Sequence, residues 1–143
     1  MGILVKKYLA CLVLWYFVFS TAAHAAQSVM VVANTGDQSI QLNRQQVRSL
    51  FMGGVIPYQL KAVALPPENH TRVLFNTKII GLTESRIQSY WAQMRFTGRK
   101  RAPREFENET SLLQFLLRNV GATGYLPAGM DVPDQLTVIY TIP

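Results

Sequence analysis

The sequence is poor in the residues that carry most metal and redox chemistry, with one cysteine and two histidines among 143 residues. Cys11 and His24 both fall within the first 25 residues, which form a separate leader segment. Residues 26–143 therefore hold no cysteine, which excludes disulfides, thiolate metal sites and cysteine nucleophiles from that part of the chain. Because His70 is its single histidine, we expect neither a metal site nor a cofactor there.

Long hydrophobic runs are also scarce, and the run from Leu9 to Phe19 fits a leader. It extends over eleven apolar residues, after Lys6-Lys7 and before Ala23-His24-Ala25. A basic start, a short apolar run and a small-residue end are the three parts of a secretory signal, with cleavage predicted after Ala25. An uncleaved anchor would need about 20 apolar residues. We therefore predict export, with residues 1–25 as a signal peptide and residues 26–143 as one domain.

Acidic residues are few as well. Since Lys6 and Lys7 belong to the leader, residues 26–143 carry 12 basic side chains against 8 acidic ones. This balance suits an anionic ligand or partner. Nucleic acid is not expected, because the chain is exported and base-reading motifs are absent. An enzyme is not expected either, because the sequence has no glycine-rich phosphate loop, no His-Glu zinc pattern and no Gly-x-Ser-x-Gly turn.

Apolar patterning and turn residues predict an alternation of strands and helices. Strands are predicted over 28–33, 61–65, 122–126 and 136–142, the last with Leu136, Val138, Tyr140 and Ile142 alternating along it. Helices are predicted over 44–52 and 69–80, after the cap Thr83, and from the cap Asn108 to Gly121. The stretch from Phe96 to Asn108 is expected to be a loop. This order favours an α/β fold, with helices packed on a mostly parallel sheet.

Two of these helices are predicted to turn broad apolar faces toward the core. The first face consists of Ile87, Tyr90, Trp91, Met94 and Phe96, and the second of Leu112, Leu113, Leu116, Leu117 and Val120. Spacing of this kind is typical of a core-facing helical stripe. We therefore assign the first set to core packing, in preference to a ligand-stacking surface, and interpret the second as the broad apolar face of its helix.

Several short motifs occur in an order that is similar to a known family. They are Val31-Val32-Ala33-Asn34, Leu50-Phe51-Met52-Gly53, Phe75, Tyr90-Trp91, Phe96-Thr97-Gly98 and Gly121-Ala122-Thr123-Gly124-Tyr125-Leu126. On these motifs, most of residues 29–128 resembles the second lobe of the periplasmic phosphate-binding proteins that serve ABC importers, in the type 2 periplasmic-binding-protein superfamily. Small exported proteins described only as phosphate-transporter substrate-binding-like are similar as well.

The resemblance implies a single periplasmic-binding-protein-like lobe, with a mostly parallel or mixed sheet of about four strands flanked by helices. It also implies a location in the periplasm, phosphate or another anion as the ligand, and a connection with phosphate uptake. Two features differ from the family. The family clamps its anion between two lobes, whereas this chain has the length of one. Where the family has an Arg and a Ser-Gly-Thr phosphate cradle, this chain has residues 65–71, in which only Thr71 keeps a hydroxyl.

The start of the second helix is one candidate anion site. Free backbone N–H groups and the helix dipole favour an anion there, which makes Asn69, His70 and Thr71 the candidate ligand residues. The other interpretation is that Asn69 and Thr71 only cap the helix, since each helix must satisfy its first N–H donors.

A basic loop is the second candidate. Five basic residues occur within ten positions, and Arg99, Arg101 and Arg104 are predicted to supply charge to an anion. The other interpretation is a solvated loop, partly neutralised by the glutamates that follow.

A function without any small-molecule ligand also remains open. Half of a two-lobed clamp leaves one face without its usual cover, and such faces are candidates for interaction. The chain would then act through a membrane-bound protein partner or as a homodimer that rebuilds a cleft. A weaker option is that the basic loop holds the protein against anionic lipid.

Overall fold

The computed structural model describes residues 28–142, so the predicted signal peptide lies outside the described residues. The strands are β1 (Val29–Ala33), β2 (Lys61–Ala64), β3 (Arg104–Glu105), β4 (Ala122–Pro127) and β5 (Thr137–Thr141). The helices are α1 (Arg44–Phe51), α2 (His70–Phe75), α3 (Glu84–Phe96) and α4 (Glu109–Arg118). A π-helical turn over Asn76–Ile80 continues α2.

The strands form one mixed sheet in the order β3-β2-β4-β1-β5. β2 runs parallel to β3 and β4, and β1 runs antiparallel to β4 and β5. The α/β class and the mixed sheet are therefore confirmed. The sheet has five strands instead of about four, because β3 forms inside the predicted loop, with Arg104 opposite Val63 and Glu105 opposite Ala64. Both β3 residues are exposed, so no apolar alternation marks this strand in the sequence.

The last strand departs from the simple alternation that the sequence predicts. Val31 lies opposite Tyr140 and Val32 lies opposite Val138, so the register shifts between the two valines. Ile139 is the additional residue of this bulge. It is fully buried, whereas Val138 and Tyr140 are only partly buried. Beyond a bulge, the residues that face the core are the ones that simple alternation would place on the other side of the sheet. Apolar alternation in the sequence does not show where a bulge lies.

The predicted helix boundaries are largely confirmed. Asn43 and Gln46 form a reciprocal capping box at the start of α1, with both hydrogen bonds at 2.9 Å. The helix predicted over 69–80 begins after its cap Asn69, as expected, and changes to π geometry in its second half. Gly81 ends it with a φ of 72°, a conformation that glycine adopts without strain.

α3 buries a narrower face than predicted. Ile87 and Trp91 are buried, and Tyr90 and Met94 pack partly against the core, but Phe96 is 94% exposed. A helix turns by about 100° per residue, so Phe96 lies about 180° around the helix from Ile87. The assignment of Phe96 to the core is wrong for that reason.

α4 packs as predicted, except at its end. Leu112 and Leu116 are fully buried, and Leu113 and Leu117 are partly buried. Val120 is 79% exposed, because α4 ends two residues before it. Over residues 28–142, none of the helices combines the length and the apolar content needed to cross a bilayer.

Candidate functional site

The start of α2 lies at the carboxyl edge of the parallel part of the sheet. The chain leaves β2 through residues 65–68 and enters α2 after Asn69. The Asn69 side-chain oxygen accepts the N–H of Thr71 at 2.8 Å and the N–H of Arg72 at 3.3 Å. The cap therefore satisfies two of the first free donors of the helix. In open α/β sheets, ligands bind at this edge.

A carboxylate of the chain itself lies against this helix start. Glu109 is the first residue of α4, and its Oε1 accepts hydrogen bonds from Asn69 Nδ2 at 3.0 Å and from Thr71 Oγ1 at 3.1 Å. Partial burial raises the pKa of Glu109, but hydrogen bonds from Asn69, its own backbone N–H and Thr71 outweigh this, so its pKa lies below the ordinary value. The structure thus places an anionic oxygen on two of the predicted ligand residues. His70, between them in sequence, is exposed.

Arg104 stands apart from the other two predicted arginines. Its guanidinium lies over the ring of Phe106, at 4.8 Å, and over the ring of Phe115, at 5.4 Å. The two rings are themselves 4.7 Å apart. Arg104 is exposed, so this cation–π contact orients the side chain without hiding its charge.

Arg99 and Arg101 lie near the opposite edge of the sheet from the start of α2. Both are exposed residues of the segment that leads into the amino end of β3, whereas α2 starts beyond the carboxyl end of β2. Because β2 and β3 run parallel, the segment before β3 and the segment after β2 lie at opposite ends of this strand pair. Within residues 28–142, no hydrogen bond or ion pair joins the three arginines to residues 69–71.

Arg72 is the charged residue that the sequence analysis missed. Its Nε and Nη2 donate to the two oxygens of Glu84 at 2.9 and 2.6 Å, and its Nη1 donates to Glu105 at 2.8 Å and to the Leu65 carbonyl at 2.6 Å. Burial lowers the pKa of Arg72, but the hydrogen bonds to Glu84 and Glu105 and the charge of Glu84 outweigh this and raise it. Four N–H donors of this buried cation are therefore used inside the protein.

A signal for Arg72 was present in the sequence. Arg72, Phe75, Asn76 and Ile79 occur at i, i+3, i+4 and i+7, which is the spacing of a buried helical stripe. All four are buried. An arginine within such a stripe indicates a buried ion pair, because a charge is rarely buried without a partner.

Glu84, the main partner of Arg72, is also fully engaged. Its carboxylate accepts further hydrogen bonds from Asn76 at 2.7 Å and from Gln88 at 2.6 Å. Partial burial raises the pKa of Glu84, but the hydrogen bonds from Arg72, Gln88 and Asn76 and the charge of Arg72 lower it below the ordinary value. The group is a stable anion whose acceptor positions are taken by the protein.

A cavity of about 60 Å³ lies beside this ion pair, against Phe75 and Tyr125. These two rings stack with centroids 4.0 Å apart, and the Tyr125 hydroxyl accepts the Leu65 N–H at 3.1 Å. Burial raises the pKa of Tyr125 well above its ordinary range. A cavity of this size holds a few waters. In the described part of the chain, no group of three or more His, Cys, Asp or Glu residues is placed to hold a metal ion.

A larger groove of about 410 Å³ lies beside α3, and Arg95 and Arg101 are among the residues that line it. In residues 28–142 neither arginine forms an ion pair with a carboxylate. A second open groove lies around the exposed Phe96 and Arg99. We call Arg95, Phe96, Arg99, Lys100 and Arg101 the basic tip.

The comparisons with known proteins support the fold. No protein-family model matches the chain, and a search of curated proteins found no match. Among solved structures, the chain is similar to an ABC-type phosphate transport receptor from Vibrio cholerae, with a TM-score of 0.58 and 16% identity. The similarity covers 78% of this chain and 45% of the receptor, so the chain spans less than half of the receptor's length. At this identity the likeness is one of fold, which confirms the predicted single α/β lobe.

Proposed function

We propose that the chain is an exported, periplasmic solute-binding-like protein that binds phosphate or another oxyanion at the start of α2, in connection with phosphate uptake. The observation that carries this proposal is that Asn69 Nδ2 and Thr71 Oγ1 donate to one anionic oxygen, that of Glu109. The same donors suit a phosphate oxygen, since a phosphate oxygen and the Glu109 carboxylate oxygen are both negatively charged acceptors. The similarity in fold to a phosphate transport receptor supports the proposal.

In this proposal, Glu109 competes with the external anion. An incoming phosphate would meet the Glu109 charge at the same donors, so the carboxylate must first swing away. Phosphate then binds only those molecules in which the donors are free. The apparent affinity is therefore lower than the intrinsic affinity, in proportion to the fraction of such molecules. We therefore expect weak phosphate binding by the wild type and tighter binding once residue 109 is neutral.

His70 and the three arginines have different roles in the proposal. His70 is exposed beside the two donors and offers a further ring N–H to a bound anion. Arg99, Arg101 and Arg104 act at a distance, by raising the local concentration of anions around the lobe. A field effect of this kind is screened within about 8–10 Å at physiological salt. Removing these arginines should therefore slow association mainly at low salt.

A thermal-shift titration of residues 26–143 tests the proposal, with phosphate as the ligand and with sulfate and chloride at matched ionic strength. We expect a saturable, phosphate-selective rise in Tm, because a ligand that binds only the folded state stabilises it. The rise should grow in Glu109→Gln and disappear in Thr71→Val. Thr110→Val, at an exposed neighbouring position, is the matched control and should keep the rise. The absence of a selective rise in both the wild type and Glu109→Gln would refute anion binding.

A second candidate is an interaction or accessory protein without a small-molecule ligand. The observation that favours it is that the chain corresponds to 45% of the length of the similar receptor. A second copy, or a membrane-bound protein partner, would then cover the face at the carboxyl edge. Light scattering after size exclusion tests self-association, and a monomer at all micromolar concentrations would rule out the homodimer.

A further inference from the structure

We propose that the basic tip is a docking surface for anionic phospholipid headgroups. Phe96, the last residue of α3, is 94% exposed, and Arg95, Arg99 and Arg101 of the same segment are exposed as well. Gly98, with a φ of 68°, turns the chain directly after the helix. From residue 85 to residue 104 the sequence contains no acidic side chain, and within residues 28–142 none of these three arginines forms an ion pair.

A neighbouring loop adds to the same surface. The Lys100 ammonium donates to the carbonyl of Gly53, in the turn that follows α1. This bond ties the loop to the basic tip. Two residues further, Val55 is 93% exposed. Two strongly exposed apolar side chains, Val55 and Phe96, are therefore carried by segments that Lys100 joins.

The chemistry of the tip fits a lipid surface better than a folded partner. The groove that Phe96 lines also contains Arg99, and the neighbouring groove contains Arg95 and Arg101, so positive charge lies next to the exposed ring. At an anionic bilayer, guanidinium groups contact lipid phosphates, while an exposed phenylalanine buries its ring between the headgroups. Charge and apolar area then act together, as in other peripheral membrane contacts.

Co-sedimentation with lipid vesicles tests this proposal, using the protein purified as the cell exports it. The vesicles contain either phosphatidylcholine alone or phosphatidylcholine with about 30% phosphatidylglycerol, which gives an anionic surface. We expect binding only to the anionic vesicles, and we expect it to weaken strongly at high salt. Inorganic phosphate at matched ionic strength should not displace the protein, which separates a lipid surface from a site for free phosphate.

The contribution of the charges is tested by replacing three arginines. Each basic residue near an anionic surface strengthens binding about fivefold, so Arg95→Gln/Arg99→Gln/Arg101→Gln should bind about 100-fold more weakly. A second triple variant, Lys61→Gln/Arg86→Gln/Arg118→Gln, removes the same charge from exposed positions elsewhere and is the matched control. It should lose much less affinity. Equal losses in the two triple variants would show that only net charge matters and would overturn the proposal.

The contribution of the aromatic ring is tested separately. Phe96→Ser should lower binding about tenfold, because it removes the apolar side chain that enters the interface. Val120→Ser changes another exposed apolar residue and should have no effect. Unchanged thermal denaturation of both variants confirms that they are folded. If the wild type does not bind anionic vesicles, or if Phe96→Ser binds as well as the wild type, the proposal is wrong.

Discussion

Replacement of Arg72 by methionine tests how much of the fold depends on the buried ion pair. Methionine fills the space of the aliphatic part of the side chain but donates no hydrogen bonds. The change would remove two donors from Glu84, one from Glu105 and one from the Leu65 carbonyl. Arg72 itself is 6% exposed, so water cannot easily replace it at these acceptors.

The expected loss of stability follows from what each acceptor retains. Removing one partner of a buried ion pair costs about 3–5 kcal/mol. Glu84 keeps its hydrogen bonds from Asn76 and Gln88, and its side chain is 29% exposed, so it is partly hydrated after the change. These features place the cost near the lower limit, at about 3 kcal/mol. For a domain of this size that corresponds to a fall in Tm of roughly 10 °C.

Urea denaturation followed by fluorescence measures this loss, because Trp91 is buried and lines the cavity beside Arg72. Circular dichroism checks that the transition involves the whole domain. Arg86→Met, at an exposed position of α3, is the matched control and should change the free energy of unfolding by less than about 0.5 kcal/mol. A loss below about 1 kcal/mol for Arg72→Met would refute the argument, because it would show that the acceptors are rehydrated without cost.

Three further predictions concern single side chains. The pKa of Glu84 is lowered in the folded protein, so the stability it contributes is lost as the pH falls from about 4.5 through that lower value. Thermal denaturation between pH 6 and 3 should therefore show less acid destabilisation for Glu84→Gln, and parallel profiles would contradict this. Tyr125→Phe removes the acceptor of the buried Leu65 N–H and should lower the free energy of unfolding in urea by about 1–3 kcal/mol. The control Tyr140→Phe should lower it little, and equal losses in the two variants would contradict the prediction. Gly121→Ala would force a side chain into a φ of 88°, with its Cβ 2.9 Å from a backbone oxygen, and should cost about 1–3 kcal/mol. Gly129→Ala, which has open space, should be nearly neutral, and a similar effect of both changes would argue against backbone strain.

Elements with a local cause were predictable from the sequence. The start of α1 is set by Asn43 and Gln46, which bond to each other within one turn. The strand β3 has no such local cause. Its two exposed residues form a strand only because the edge of β2 offers free N–H and carbonyl groups at the correct distance.

The candidate site shows the same division. Asn69 and Thr71 were predicted to lie at a helix start because such a start has a local signature, and the structure places them there. The carboxylate that contacts them belongs to Glu109, which is 38 residues from Thr71 in the sequence. No pattern in the sequence relates these positions, because the contact depends on how α2 and α4 pack. That Asn69, His70, Thr71, Arg99, Arg101 and Arg104 bind an anion stays a prediction, and the segment that carries Arg99 and Arg101 enters β3 at the opposite strand end from the one that leads to α2.

The sequence by itself determined the α/β class, the order of the helices and most of their boundaries, because periodicity, caps and turn residues act over a few positions. The tertiary structure decided the extra strand, the bulge at Ile139, and the pairing of Arg72 with Glu84 and Glu105. Each of these depends on which surfaces meet across the fold. Contacts between distant segments are set by the packing of the whole domain, and a local pattern does not contain them.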